Sequence, residues 1–179
     1  MPGAALPATA AARPGHPRRS RRPAPAPEWD AEGRWNPWAA LRARPHVELR
    51  LDPEAGLLGG GMLVLGPGLA VVVIDPALDR RSRRVALAHE LIHEERGGGC
   101  DAPGLPEALD VIVARDEAEV VREVARRLVP APALRRLLEQ RHGLGLHVEP
   151  WEVAEAFDVD DATARVALAE LGARTRRAA

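Results

Sequence analysis

The stretch His89-Glu90-Leu91-Ile92-His93 sets two imidazoles four residues apart, with a carboxylate between them. On a helix, residues i and i+4 project from one face, one turn above each other, so both rings can reach a single Zn2+. Glu90 is turned beside such a metal rather than onto it, where it can take a proton from a metal-bound water. The spacing points to metal-assisted hydrolysis, with His89 and His93 as ligands and Glu90 as the general base. The flanks predict the required helix. Asp79 can cap it, Gly97-Gly98-Gly99 can end it, and Val85, Ala88, His89 and Ile92 fall at i, i+3, i+4 and i+7.

Catalytic zinc takes three protein ligands and keeps a fourth position for water or substrate. Asp116-Glu117-Ala118-Glu119, on a second helical pattern, offers several carboxylates. Glu117 shares a face with Val120, Val121, Val124 and Leu128, whereas Glu119 shares one with Arg122, Glu123 and Arg126. A charge on an apolar stripe is costly unless it is paired or coordinating. Glu117 is therefore the expected third ligand, with Glu119 and Asp116 as the alternatives. Peptide hydrolysis also calls for a group that stabilises the developing oxyanion. The chain has no tyrosine, which leaves zinc itself, an arginine, or a histidine such as His142 or His147. Cys100, shortly after the first helix, reads as a spectator, and His16 and His46 are assigned no chemistry.

These side chains must be held by a scaffold. Pro37 suits the first turn of a short helix over Trp38 to Arg44, and His46 to Leu51 alternates like a strand. Met62 to Leu65 and Leu69 to Ile74 flank Gly66-Pro67-Gly68 and read as a β-hairpin, so a small antiparallel sheet of three strands is expected. After the histidine helix, a second helix runs from about Asp110 or Asp116 to Val129 and stops at Pro130. A third covers Ala133 to His142. Two shorter ones, Trp151 to Phe157 and Asp160 to Leu171, join at Asp158-Val159. The four tryptophans are expected to be packing anchors.

The run through Leu87-Ala88-His89-Glu90-Leu91-Ile92-His93, followed by Glu117-Ala118-Glu119-Val120-Val121-Arg122-Glu123-Val124-Ala125-Arg126-Arg127-Leu128-Val129-Pro130, resembles the ImmA/IrrE family of metallopeptidases. Counting back from Pro130 places the family's glutamate ligand on Glu117. The segment Val153 to Val159 is similar to the start of the family's C-terminal helical pair. The resemblance covers about residues 35 to 172 and is looser after the first motif. It implies a zincin-like α+β fold and a Zn2+ cofactor. It also implies site-specific cleavage of a protein substrate, a helix-turn-helix repressor governing stress genes or mobile elements. Two departures stand out. Val121 occupies a position where the family often has Asn or Asp to orient a zinc ligand, and Glu94 and Glu95 follow the second histidine where uncharged residues are usual.

The 179 residues are 46% hydrophobic and 28% charged, with 25 basic groups, all arginine, against 26 acidic ones. That fits one globular domain with an appendage. No apolar run is long enough for a membrane span or a secretory leader, and a lone cysteine makes no internal disulfide, so a cytoplasmic protein is expected. Residues 1 to 27 hold five arginines and no acid, which leaves 20 arginines against 26 acids, a balance of −6, in the rest. The organisation expected is a disordered basic Pro/Ala/Arg tail over 1 to 30, a metallopeptidase domain over 31 to 145 and a helical, helix-turn-helix-like unit over 146 to 179. A direct nucleic-acid contact is not expected, because the would-be recognition helix opens with Asp160-Asp161, which repels phosphate. Two other readings remain: a non-catalytic zinc-binding regulatory module indifferent to Glu90, and a DNA-binding regulator that uses the tail and the C-terminal helices.

Overall fold

The computed structural model describes residues 27–98 and 107–178. The tail up to residue 26 and Cys100 lie outside them. Trp29 and Trp35 pair across a turn at Ala31-Glu32, on either side of the boundary drawn at residue 30. Asn36 then caps helix α1 (Pro37–Ala43) by accepting from the Ala39 amide, and Pro37 takes the first-turn position where a missing N–H costs nothing.

Strand β1 (Val47–Leu51) leads through a 3-10 turn (Pro53–Leu58) into the hairpin of β2 (Gly61–Gly66) and β3 (Leu69–Ile74). The sheet order is β1-β3-β2, with β2 and β3 antiparallel but β1 and β3 parallel. The expectation of an all-antiparallel sheet is thus corrected. The 3-10 turn carries the chain one strand position past β1, and β3, returning from the tight Gly66-Pro67-Gly68 turn, fills the gap in the direction of β1. The placement follows burial. β3 has the most β-branched sequence of the three, and a central strand is covered best. One sheet face, carrying Val47, Leu49, Leu63, Ala70, Val72 and Ile74, packs on helix α2.

Helix α2 (Arg80–Glu95) is capped by Asp79, whose carboxylate accepts from the amides of Arg81 and Ser82. It ends through Gly97, whose φ of 86° suits a left-handed stop, with the Gly97 and Gly98 amides returning to the carbonyls of Glu94 and His93. Helix α3 (Glu107–Leu128) starts earlier than either aspartate predicted, because Glu107 to Leu109 are good helix formers and Asp110 falls in the interior. Helices α4 (Ala131–Gly143), α5 (Pro150–Phe157) and α6 (Asp161–Ala178) complete a mixed α+β architecture of six helices and a three-stranded sheet among the described residues. Leu87, Leu91 and Ile92 of α2, Val120, Val124 and Leu128 of α3, Val153 and Phe157 of α5, and Leu171 of α6 share one buried cluster with the sheet. Asp158 turns α5 into α6 at φ 55°, a conformation that Asp tolerates better than most residues.

The tryptophans divide. Trp35 is fully buried and Trp38 is half-buried against the core, but Trp29 and Trp151 are about half exposed, which corrects the expectation of four anchors.

Candidate metal centre

Helix periodicity sorts the side chains of α2 among three neighbours. Leu87, Leu91 and Ile92 enter the core. His89 and His93 point toward α3. Glu90, about 100° further round than His89, is buried against the start of β2. On α3, Val120, Val124 and Leu128 are buried and hold the helix against α2, and Glu117 sits one turn before Val120 on that side. Val121 is 37% exposed, so the apolar stripe is narrower than its sequence suggested.

The crossing of the two helices brings His89, His93 and Glu117 together, with one ligand atom from each inside a 4.8 Å group. The His89 and His93 Nε2 atoms are 2.9 Å apart. Glu117 Oε1 lies 3.0 Å from His89 Nε2, and Oε2 lies 3.2 Å from His93 Nε2. Ligands 2.0–2.2 Å from a tetrahedral zinc are about 3.3 Å from each other. The three donor pairs are therefore within a few tenths of an ångström of the spacing a shared cation imposes, and two imidazoles with a carboxylate are a zinc-type donor set. Glu117 also pairs with both imidazoles directly. Contacts with His89 and then His93 hold its carboxyl far below the ordinary carboxylate range against the opposing effect of burial. Glu117 in turn raises the pKa of His93.

The competing carboxylates are taken up by arginines. Glu119 accepts from Arg122 and Arg126 at 2.8 and 2.7 Å, which pulls its pKa down to about 2. Asp116 is paired with Arg96, the residue that closes α2. Of the three acids considered from sequence, Glu117 is the one placed with the histidines. Glu94 and Glu95 are likewise drawn away: Glu94 meets His46 at 2.9 Å and Arg44 at 3.4 Å, and Glu95 meets Arg44 at 2.6 Å and Arg127 at 2.7 Å. His46, assigned no chemistry, partners a glutamate beside the site.

His142 lies exposed at the end of α4 and His147 exposed in the following connection; neither joins the group of His89, His93 and Glu117. The His93 Nδ1 atom is buried with no hydrogen-bond partner among the described residues, so the orienting role that Val121 cannot fill is not taken over by another group there.

Sequence reasoning passed over Gly61. Gly59-Gly60 lead into β2, whose first residue is Gly61, and a Cβ on Gly61 would stand 2.7 Å from Oε1 and 3.3 Å from Cγ of Glu90. The signal was the length of the glycine run, since a tight turn needs one or two such residues. No family model matches the chain, and neither does any curated protein or solved structure at a significant level.

Proposed function

We propose that this chain is a zinc-dependent metallo-endopeptidase with a zincin-like arrangement, similar to the ImmA/IrrE family, and that it cleaves a repressor protein at a specific site. The observation that carries the reading is the convergence of His89, His93 and Glu117 from two helices at metal-ligand spacing, with the Glu90 carboxylate on the same helix but outside that group. His89, His93 and Glu117 would hold a zinc ion, which would supply a Lewis acid and a lowered pKa for a bound water.

The protein's own residues do the rest. Glu90, 7% exposed, is shielded from bulk water by β2, which favours proton transfer with a nearby reactant over exchange with solvent. It accepts the proton of the attacking water and donates it to the departing amine. Arg96 and the Arg122/Arg126 pair keep Asp116 and Glu119 engaged elsewhere, which leaves Glu117 as the carboxylate that would complete the donor set.

The test compares wild type with Glu90→Gln for zinc content and for cleavage of a proteome-derived peptide library, read as new N-termini by mass spectrometry. Retained zinc with cleavage reduced by about 100-fold or more supports the peptidase. Equal cleavage by both proteins favours a metal-stabilised binding module, and a chain that binds no zinc overturns the reading.

A further inference from the structure

We propose that Gly61 is a positioning residue for Glu90: the absence of a side chain at the first residue of β2 creates the notch in which the Glu90 carboxylate rests. The inference builds on the metallopeptidase reading. The glycine run divides by cause. Gly59 and Gly60 have φ of 89° and 100°, a region that glycine enters without strain, and at Gly60 an added Cβ would also meet Leu78 at 3.1 Å. Backbone conformation therefore accounts for two of the three.

Gly61 has no such φ, so its backbone would accept any residue. What a side chain there would meet is Glu90. A methyl group would overlap Oε1 at 2.7 Å and press on Cγ at 3.3 Å, with Cδ in ordinary contact at 3.4 Å, so the carboxylate end of Glu90 is what must shift. Glu90 is buried, and its helix is fixed by Leu87, Leu91 and Ile92 in the core, so the backbone of α2 cannot retreat. The side chain must instead rotate out of the notch.

Its rotation has a chemical consequence. Glu90 adjoins His89 in sequence, and its oxygens stand outside the group formed by His89, His93 and Glu117. A carboxylate displaced from the strand can approach that group and become a fourth ligand, which takes the place of water and removes the base at once. The notch thus separates two roles for one carboxylate, base and ligand. Gly61 acts through Glu90 and touches no reacting atom itself.

The experiment is a double-mutant cycle on the full chain with Gly61→Ala, Glu90→Gln and Glu90→Ala, using the peptide library for activity and metal analysis for zinc. Gly61→Ala is expected to keep one zinc per chain and to lose cleavage to the level of Glu90→Gln, and adding it to Glu90→Gln should cost nothing more. A merely structural role would give losses that add. A second readout is independent of activity. In the Glu90→Ala background, where the notch is empty, Gly61→Ala should raise the melting temperature because alanine restricts the unfolded chain, whereas in wild type it should not. Wild-type cleavage by Gly61→Ala, or equal effects on melting in both backgrounds, would overturn the proposal. Failure of the metallopeptidase reading is seen separately, in wild type that lacks zinc or cleavage.

Discussion

At the residue scale, the site is one carboxylate shared by two imidazoles, and its pH behaviour follows from that sharing. Glu117 is depressed by the histidines, so in metal-free protein its contribution to stability is present above the ordinary carboxylate pKa of about 4.5 and is lost as pH falls toward the depressed value. His93 is raised by Glu117, so its contribution is complete below the ordinary histidine value of about 6.5 and is lost as pH climbs through the raised one. Both describe the same contact, which is fullest between those limits. Metal-free protein should therefore lose melting temperature as pH rises above the ordinary histidine value of about 6.5. Zinc, which needs deprotonated ligands, should restore it most at the upper end. Glu117→Gln should flatten the profile and weaken zinc binding by more than about 100-fold, since loss of a partner outside the ligand set alone costs about 10- to 100-fold. Melting curves across pH, with and without zinc, check both statements.

At the element scale, most of what positions the site was legible. Asp79 as a cap, the glycine stop at Gly97, and the spacing of His89 and His93 are local signals, and local physics decides them. The placement of Glu117 beside the histidines was legible because the buried residues Val120, Val124 and Leu128 recur with the helical period. The parallel pairing of β1 with β3 was not, because the 3-10 turn between β1 and β2 moves the chain sideways without leaving a periodic trace. The partners of Glu94 and Glu95 were also hidden. Arg44, His46 and Arg127 lie more than thirty residues away in sequence, and only the folded helices bring them near. Two substitutions separate the kinds of support involved. Gly60→Ala forces a side chain into φ 100° and against Leu78, and should cost about 1–3 kcal/mol. Leu91→Ala leaves a hole in the cluster that seats α2 and should cost about 2–5 kcal/mol. Urea unfolding of the two variants measures both, and a Leu91→Ala variant as stable as wild type would contradict the packing described.

At the scale of the whole molecule, the helices that carry His89, His93 and Glu117 are tied together by charge as well as by packing. Glu28, Arg44, Glu95, Arg127, Glu123, Arg126 and Glu119 form a continuous series of ion pairs from the N-terminal turn, over the end of α2, along α3, and Arg126 extends it to Glu170 of α6. Arg127 is its hinge, because it also lies over the Trp35 ring at 5.0 Å. On the other flank of α2, Arg96 holds Asp116, eleven residues or about 16 Å along α3 from Arg127, so the end of α2 is gripped from both directions. Isolated exposed pairs contribute little, and networks more. Arg127→Ala should therefore cost about 1–2 kcal/mol, and Arg165→Ala, whose pair with Asp161 is exposed and 3.7 Å long, less than about 0.5 kcal/mol. Thermal denaturation of the two variants makes the comparison, and equal losses would remove the network from the account.

The cations of that series are guanidinium groups throughout, in a chain without a single lysine. Guanidinium stays charged above pH 12, whereas an ammonium network discharges near pH 10. The clamp around α2 and α3 should thus outlast strongly alkaline solution. It also escapes amine-directed labels and cross-linkers, which find no side chain here to modify, so the molecule's proximities must be mapped with reagents that attack carboxylates or guanidines.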